Sequence, residues 1–345
     1  MKYTLRSMPR GKTHGKPIAN TCNVPYYTVT IDSESNCMVC GCEGWLPIPV
    51  GKVSDFDSIE SVLHSPAAKM LQQDIDQKKF TWCAVSYCGV LKQSHTRNTY
   101  NLNINIDNSC NLACPSCRRD ITMINSGPEY EKKVKDVDSI LTWLEKFEHP
   151  IVISLGGTGD ALASLICRNL IRNYKYRDNQ KFIIGTNGLL LKKVMAGAPL
   201  SPAVSHYSVS VDAGTKVVYE NVRRPGKWEV LLSNLEWLSK NRQNASVQLN
   251  FVLQNENYQD LLDFVELCQR YEFVGGITTI NDWGTWNSQP VSVPDEYTVA
   301  NGTYLDHNVA DPSHKNHKHF VETLNLVRQQ NHKFILFNSF FDQFQ

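Results

Sequence analysis

Strand-like and helix-like patterns alternate through the middle of the chain. Between residues 99 and 283, short runs with apolar residues at every second position alternate with runs in which they recur every three or four positions. The first pattern is typical of β-strands and the second of amphipathic helices. The predicted strands are 100–106, 151–155, 181–185, 206–211, 246–253 and 276–281, and the predicted helices are 130–147, 161–174, 189–196, 228–240 and 258–271. Six such units predict an α/β fold, a partial (βα)6 barrel with parallel strands.

Polar residues occupy alternate positions on three of these strands. Outer helices cover the apolar face of such a strand, so the polar face is expected to point into the barrel. A barrel interior filled by side chains is dominated by branched apolar residues, so this pattern predicts room for a cofactor and a substrate. Polarity of an edge strand would explain one strand but not three. The residues are Asn101, Asn103 and Asn105, then Ser208, Ser210 and Asp212, then Gln248 and Asn250.

Length and charge limit the class of protein. The chain has 345 residues, a formal net charge of +1, 41% hydrophobic and 20% charged residues, as in ordinary globular proteins. A near-zero charge argues against broad electrostatic capture of nucleic acid or an anionic membrane. The N-terminus has no apolar leader and no apolar run is long enough to span a bilayer, which predicts a cytoplasmic protein. The expected domains are a cysteine-rich segment (1–98), the barrel (99–283) and a C-terminal extension that packs on it (284–345).

Cysteines concentrate in the first third of the chain. Nine of the 11 precede residue 118, and in a reducing compartment such clustering indicates metal ligation rather than disulfides. Cys167 and Cys268 lie in helical patterns among apolar neighbours and are predicted to be core residues.

Three of the clustered thiols directly follow the first predicted barrel strand. Cys110, Cys114 and Cys117 have the spacing Cys-x3-Cys-x2-Cys, with no fourth thiol nearby. Structural zinc takes four protein ligands, whereas three close thiolates suit an iron–sulfur centre with one coordination position open. The spacing therefore predicts a [4Fe–4S] cluster whose fourth iron can bind a small molecule.

This spacing resembles the signature of the radical S-adenosylmethionine (SAM) enzymes. Later landmarks are similar too. The glycine-rich run after the second strand resembles the family's Gly-Gly-Glu-Pro motif, with Thr158 in place of the glutamate. Tyr219-Glu220-Asn221-Val222-Arg223-Arg224 resembles a stretch whose arginine pairs with the SAM carboxylate, and Arg223 is the predicted partner; a surface ion pair is the alternative. The resemblance implies SAM contacts from Gly156, Gly157, Thr158, Asn187, Ser210, Asp212 and Arg223.

The N-terminal segment carries six further cysteines around a proline–glycine turn and a helical pattern over 58–75. The spacing alone permits zinc. The segment also resembles a SPASM or twitch domain, which carries auxiliary [4Fe–4S] clusters, although in that family the domain usually follows the barrel. The resemblance implies an auxiliary cluster on Cys22, Cys40, Cys83 and Cys88, with Cys37 and Cys42 as alternative ligands.

The family resemblance also implies an activity. One electron from the reduced cluster cleaves SAM, and the resulting 5′-deoxyadenosyl radical abstracts hydrogen from a substrate. A reductant such as flavodoxin or ferredoxin and a peptide or peptide-like substrate are implied with it. Two alternatives stay open: modification of a nucleotide or nucleic acid base, and a non-catalytic binding module stabilised by zinc.

The C-terminal extension is rich in histidine, but the spacing fits no standard metal motif. We expect a solvated segment that leads into a helix over 319–330, and an apolar end that docks on the rest of the protein. The histidines are His307, His314, His317, His319 and His332.

Overall fold

The computed structural model describes residues 22–40, 49–83, 98–282, 286, 302–329 and 335–337. The chain divides into two compact units, each built from several stretches of sequence. The first comprises Met1–Asn108, Ile124–Gly159 and Tyr176–Phe182, and the second comprises Ser109–Met123, Asp160–Lys175 and Ile183–Gln345. The domain boundaries expected at residues 98 and 283 stay a prediction.

The first unit is a sheet with helices. Its strands are β1 (Thr28–Ile31), β2 (Asn36–Met38), β3 (Gly51–Lys52), β4 (Tyr100–Ile104) and β5 (Ile151–Leu155), and its helices are α1 (Val24–Tyr27), α2 (Ile59–Leu63), α3 (Pro66–Asp76) and α4 (Gly127–Lys146). β4 pairs in parallel with β5 and with β1, and β2 pairs antiparallel with β1 and β3. The first strand of the cysteine-rich segment thus continues the parallel sheet of the first predicted barrel strand.

A proline divides the helix predicted over 58–75. α2 ends at Leu63 and α3 begins at Pro66, whose preceding residue Ser65 accepts a hydrogen bond from the N–H of Ala68. Proline is disfavoured inside a helix but suits its first turn, because its missing N–H is not needed there. The single helical pattern therefore becomes two helices.

The second unit contains the remaining elements. β6 (Gln180–Thr186) is shared between the units, and β7 (Val204–Ser210), β8 (Ser246–Leu253), β9 (Val274–Thr279) and β10 (Ile335–Phe337) belong to the second. β8 is parallel to β7 and β9, and β10 is parallel to β9. The helices are α5 (Leu165–Asn173), α6 (Leu191–Met195), α7 (Lys216–Val222), α8 (Trp228–Asn241), α9 (Leu261–Tyr271), α10 (Tyr304–His307) and α11 (His317–Gln329).

The predicted α/β class is confirmed. All six predicted strands are present, and their ends differ from the prediction by no more than two residues. Cys167 and Cys268 are buried core residues, as expected. Part of the apolar C-terminal end forms β10, which pairs with β9. Among the described residues, no helix has the length and hydropathy to cross a membrane.

A buried lysine holds α4 against the ends of two strands. Lys133 is 3% exposed, and its Nζ donates to the carbonyl oxygens of Ser33, two residues after β1, and Ile106, two residues after β4. The distance to the Ile106 oxygen is 2.7 Å. Burial lowers the pKa of Lys133, and Glu129, 3.7 Å away, opposes that shift. The ammonium group thus satisfies two carbonyls at the end of the sheet where the chain leaves β4.

Replacing this ammonium with an apolar group tests its role. Lys133→Met removes the donor from both carbonyls, so we expect the free energy of unfolding to fall by about 1–3 kcal/mol. Denaturant titration measures the change. Lys135→Met is the matched control, because Lys135 is an exposed residue on the same helix; it should change stability by less than about 0.5 kcal/mol. Equal stabilities of the two variants would contradict the role given to Lys133.

Candidate metal centre and cofactor site

The three clustered cysteines lie on a loop that its own backbone closes. In the second unit, Cys110 and Thr122 exchange two backbone hydrogen bonds, of 2.7 and 3.3 Å. Inside this closure, the N–H groups of Cys117 and Arg118 both donate to the carbonyl of Cys114 and form a tight turn. Cys114 is buried, Cys110 is half-buried and Cys117 is exposed. The three thiols therefore differ in solvent exposure, which rises from Cys114 through Cys110 to Cys117.

Two side chains donate towards the buried sulfurs. Asn187 Nδ2 lies 3.9 Å from Cys110 Sγ, and Arg223 Nη1 lies 3.8 Å from Cys114 Sγ. Burial raises the pKa of both thiols, that of Cys114 to about 12, and Arg223 opposes the rise at Cys114. N–H donors and a cation stabilise a thiolate, which is the form that binds metal. The surroundings of Cys110 and Cys114 thus suit metal-bound sulfur.

A buried carboxylate positions Asn187. Asp160 is 3% exposed and accepts hydrogen bonds from the backbone N–H of Asn187 (2.5 Å) and the hydroxyl of Thr186 (3.0 Å), besides two N–H groups of the turn that follows it. Its own N–H donates to the carbonyl of Ser109, next to Cys110. Burial raises the pKa of Asp160, and these hydrogen bonds oppose the rise. The sequence analysis did not select Asp160, although a carboxylate directly after a glycine-rich run is a recognisable signal.

A second carboxylate pairs with the predicted arginine. Asp212 Oδ2 lies 2.6 Å from Arg223 Nη2, and Asp212 Oδ1 accepts from the backbone N–H of Val252 at 2.7 Å. The side chains of Asp212 and Arg223 are only 3% and 12% exposed, so this ion pair is buried rather than on the surface. Burial opposes the charge on Arg223, but Asp212 and Cys114 outweigh it and raise its pKa. Arg223 is therefore a permanent cation beside Cys114.

Arg224, the neighbouring arginine, has a different environment. Its Nε donates to the carbonyl of Asn221 at 2.7 Å, and its backbone carbonyl accepts from the N–H of Ala113 at 2.7 Å. The guanidinium of Arg223 contacts Cys114, and its expected pairing with the SAM carboxylate stays a prediction.

The polar faces of β7 and β8 form a hydrogen-bonded network. Asn250 Nδ2 donates to Ser208 Oγ at 2.8 Å, and Gln248 Nε2 donates to Asn250 Oδ1 at 2.7 Å. Ser210, the last residue of β7, is half-buried. Buried apolar residues alternate with these positions along both strands. The two-residue alternation expected from the sequence is thus observed on both strands.

The glycine-rich loop belongs to the first unit. Gly156 and Gly157 have φ values of +106° and +137°, which side chains with a Cβ rarely adopt. A Cβ on Gly157 would lie 2.2 Å from Asn105 Oδ1, and Thr158 Oγ1 donates to the carbonyl of Asn105 at 3.1 Å. The loop therefore packs its backbone directly against the chain that leaves β4.

His307 is buried, whereas the sequence predicted that it lies in a solvated segment. His307 is 5% exposed, its Nδ1 lies 2.7 Å from Glu256 Oε1, and its ring stacks on Trp286 with centroids 3.8 Å apart. The sequence did not reveal this contact, because Glu256 is 51 residues away along the chain.

Comparison with protein families identifies the central part of the chain. Residues 104–268 match the sequence model of the Radical SAM superfamily. The chain contains a radical SAM domain. The match includes the cysteine loop, Asn187, Asp212 and Arg223, and the parallel α/β arrangement is consistent with the partial barrel of that superfamily. Members of the superfamily are enzymes that use a [4Fe–4S] cluster and SAM.

Several solved structures are similar to this chain. Streptococcus suis SuiB bound to precursor peptide SuiA is 13% identical, with 80% of this chain and 63% of SuiB covered and a TM-score of 0.45. TYW1 with a lysine-pyruvate adduct is 19% identical, with 54% and 65% covered and a TM-score of 0.36. Histidine-tagged anSMEcpe with bound AdoMet is 15% identical, with 53% and 50% covered and a TM-score of 0.40.

The chain spans less than two thirds of the length of each of these three proteins. Comparison with curated proteins gives no match.

The donor set of the radical SAM domain fits an iron–sulfur cluster. Among the described residues, no group of three or more Cys, His, Asp or Glu side chains is arranged to hold a single metal ion. In a cubane cluster each thiolate binds a different iron, so the sulfurs of Cys110, Cys114 and Cys117 need not converge on one point. N–H donors near two of these sulfurs are of the kind that orient and tune metal-bound thiolates.

The cysteines proposed for an auxiliary cluster are only partly described. Cys22, Cys40 and Cys83 are half-buried, whereas Cys42 and Cys88 lie outside the described residues. Cys37 is fully buried in β2, where burial and the carboxylates of Asp32, Asp55 and Asp136 raise its pKa to about 12. At Cys37, burial and these carboxylates both oppose a thiolate. The auxiliary cluster and its ligands stay a prediction.

Alanine at Gly157 tests the glycine loop of the radical SAM domain. Gly157→Ala adds a strained positive φ and displaces Asn105, so we expect a loss of about 2–4 kcal/mol of unfolding free energy. Gly127→Ala is the matched control. Gly127 also has a positive φ, of +84°, but a Cβ at this position would meet nothing within 4 Å, so backbone strain alone should cost about 1–2 kcal/mol. Thermal unfolding measures both losses of unfolding free energy. Equal losses for Gly157→Ala and Gly127→Ala would show that Asn105 moves aside without destabilising the protein.

Proposed function

We propose that this protein cleaves SAM reductively at a [4Fe–4S] cluster held by Cys110, Cys114 and Cys117. When bound, the cluster and SAM supply a 5′-deoxyadenosyl radical that abstracts hydrogen from the substrate. The observation that carries this proposal is the closed cysteine loop within a radical SAM domain, with N–H donors at two of its three sulfurs. This arrangement leaves the cluster one iron without a protein ligand, where SAM would bind.

The SAM contacts that the resemblance implies are part of this proposal. In the second unit, the elements around the cysteine loop bring Asn187 beside Cys110, and Asn187 Nδ2 also donates to Asn111 Oδ1 at 2.8 Å. Ser210, at the end of β7, is half-buried and available to a ligand. In the first unit, Gly156, Gly157 and Thr158 would contribute mainly backbone groups. Asp212 and Arg223, the other two residues of the implied set, are paired with one another in the second unit.

We further propose a peptide or peptide-like substrate. The support is the resemblance of the cysteine-rich N-terminal segment to SPASM and twitch domains, and the near-zero net charge, which weighs against a large nucleic acid. An auxiliary [4Fe–4S] cluster in that segment would accept an electron from the product radical or bind the substrate. A reductant such as flavodoxin or ferredoxin would supply electrons to the first cluster.

Loss of one cluster ligand tests the proposed activity. After anaerobic reconstitution with iron and sulfide, the wild-type protein given dithionite and SAM should produce 5′-deoxyadenosine. Cys114→Ala should reduce this product to background, because the buried thiol at the centre of the loop is lost. Cys268→Ala is the control, since Cys268 is a buried core cysteine of α9; it should retain both iron and activity.

Two results would reject the proposal. One is undiminished SAM cleavage by Cys114→Ala. The other is a wild-type protein that contains zinc but no iron or labile sulfide, which would favour the zinc-stabilised binding module.

A further inference from the structure

Arg223 has two partners within the protein, and one of them is a proposed cluster ligand. Its Nη2 pairs with Asp212 at 2.6 Å, and its Nη1 donates to Cys114 Sγ at 3.8 Å. We propose that Arg223, held in place by Asp212, sets the reduction potential of the [4Fe–4S] cluster through its contact with Cys114. Its role is then electrostatic tuning of the cluster, not capture of the SAM carboxylate. The inference rests on the proposed function, since it requires a cluster on the cysteine loop.

The backbone fixes the distance between Arg223 and Cys114. The N–H of Ala113, next to Cys114, donates to the carbonyl of Arg224 at 2.7 Å. On the other side, the N–H of Arg223 donates to the carbonyl of Tyr219 at 2.8 Å and ends α7. The cysteine loop and the end of α7 are thus joined one residue away from each functional side chain. Arg223 is therefore held beside the sulfur by the fold itself.

Asp212 fixes the guanidinium in turn. One carboxylate oxygen pairs with Arg223, the other accepts from the N–H of Val252, and the backbone carbonyl of Asp212 accepts from Asn257 Nδ2 at 2.9 Å. Asp212 itself has a φ of +59°, an unfavourable conformation for a residue with a Cβ. The surrounding hydrogen bonds hold it there. The carboxylate is thus a rigid anchor for Arg223.

The two charges should act on the cluster with opposite signs. Reduction adds one negative charge to a cluster, and a cation that donates to a ligand sulfur stabilises that reduced state. Asp212 carries a negative charge that also acts on Cys114, and it offsets part of this effect. Both side chains are largely buried, so solvent and salt screen their charges weakly. Arg223 should therefore raise the reduction potential and Asp212 should lower it.

Redox titration of the reconstituted protein, followed by EPR without SAM, measures this potential. Arg223→Gln should shift the midpoint to more negative values. Asp212→Asn removes the negative charge but keeps a side-chain oxygen that can accept from Arg223, so it should shift the midpoint to more positive values. Arg223→Lys, which keeps the charge, should lie closer to wild type than Arg223→Gln. The control is Tyr207→Phe, because Tyr207 is a buried residue of β7 and burial alone raises the pKa of its hydroxyl. Its midpoint should equal that of wild type.

A general loosening of the structure would shift the midpoint potentials of Arg223→Gln and Asp212→Asn in the same direction. Shifts of opposite sign therefore exclude it. Should Arg223→Gln fail to hold a cluster, Arg223→Lys and Asp212→Asn carry the comparison, and the inference then requires the positive shift in Asp212→Asn.

Measuring SAM affinity distinguishes tuning of the cluster by Arg223 from the competing role, binding of the SAM carboxylate. An unchanged midpoint in Arg223→Gln, together with SAM affinity reduced tenfold or more, would assign Arg223 to the SAM carboxylate and overturn the inference. Wild-type protein that shows a [4Fe–4S] signal and cleaves SAM, with identical midpoints in all variants, would overturn the inference alone. Wild-type protein without such a signal would overturn both the inference and the proposed function.

Discussion

The ion pair between Asp212 and Arg223 is the interaction on which the second unit's candidate site depends. A buried ion pair is stable only if its remaining hydrogen-bonding groups are also satisfied. The carboxylate of Asp212 meets this condition, because Val252 N–H and the guanidinium occupy its two oxygens, whereas Arg223 Nε is buried without a partner among the described residues. Removing one partner of such a pair typically costs about 3–5 kcal/mol, since the other charge stays buried without compensation. The carboxylate of Asp212, just after β7, thereby links two other elements. It accepts an N–H of β8 and pairs with Arg223 at the end of α7.

Asp160, a second buried carboxylate, fixes the cysteine loop near Cys110 through hydrogen bonds. Its carboxylate accepts hydrogen bonds from backbone N–H groups and from the Thr186 hydroxyl, and its own N–H donates to the carbonyl of Ser109. The N–H of Ala113 is held at the carbonyl of Arg224. The loop is therefore fixed both before Cys110 and before Cys114, by segments distant in sequence. Such preorganisation matters for a metal centre, because ligands that are already in place do not have to be ordered when the metal binds.

The sequence predicted the regular parts of this arrangement and missed those that depend on tertiary contacts. Apolar periodicity located the six strands because each buries one face in a continuous pattern. α7, β2 and β3 were not predicted, since seven, three and two residues are too few to show a period. The spacing of the cysteines and the position of Arg223 indicated the site. The pairing of Arg223 with Asp212 joins residues on different elements, and no local pattern encodes it.

Electrostatic surroundings distinguish cysteines that spacing alone treats alike. Cys37 and Cys114 are both buried thiols whose pKa is raised to about 12 by burial. At Cys37 three carboxylates add to that rise, whereas at Cys114 the cation of Arg223 opposes it. A metal ligand must lose its proton, and binding is easier where a nearby charge stabilises the thiolate. Arg223 therefore gives a thiolate at Cys114 a compensating cation that the charges around Cys37 do not provide, although each thiol lies in a closely spaced group of cysteines. The sign of the neighbouring charge thus differs between two thiols that cysteine spacing alone treats alike.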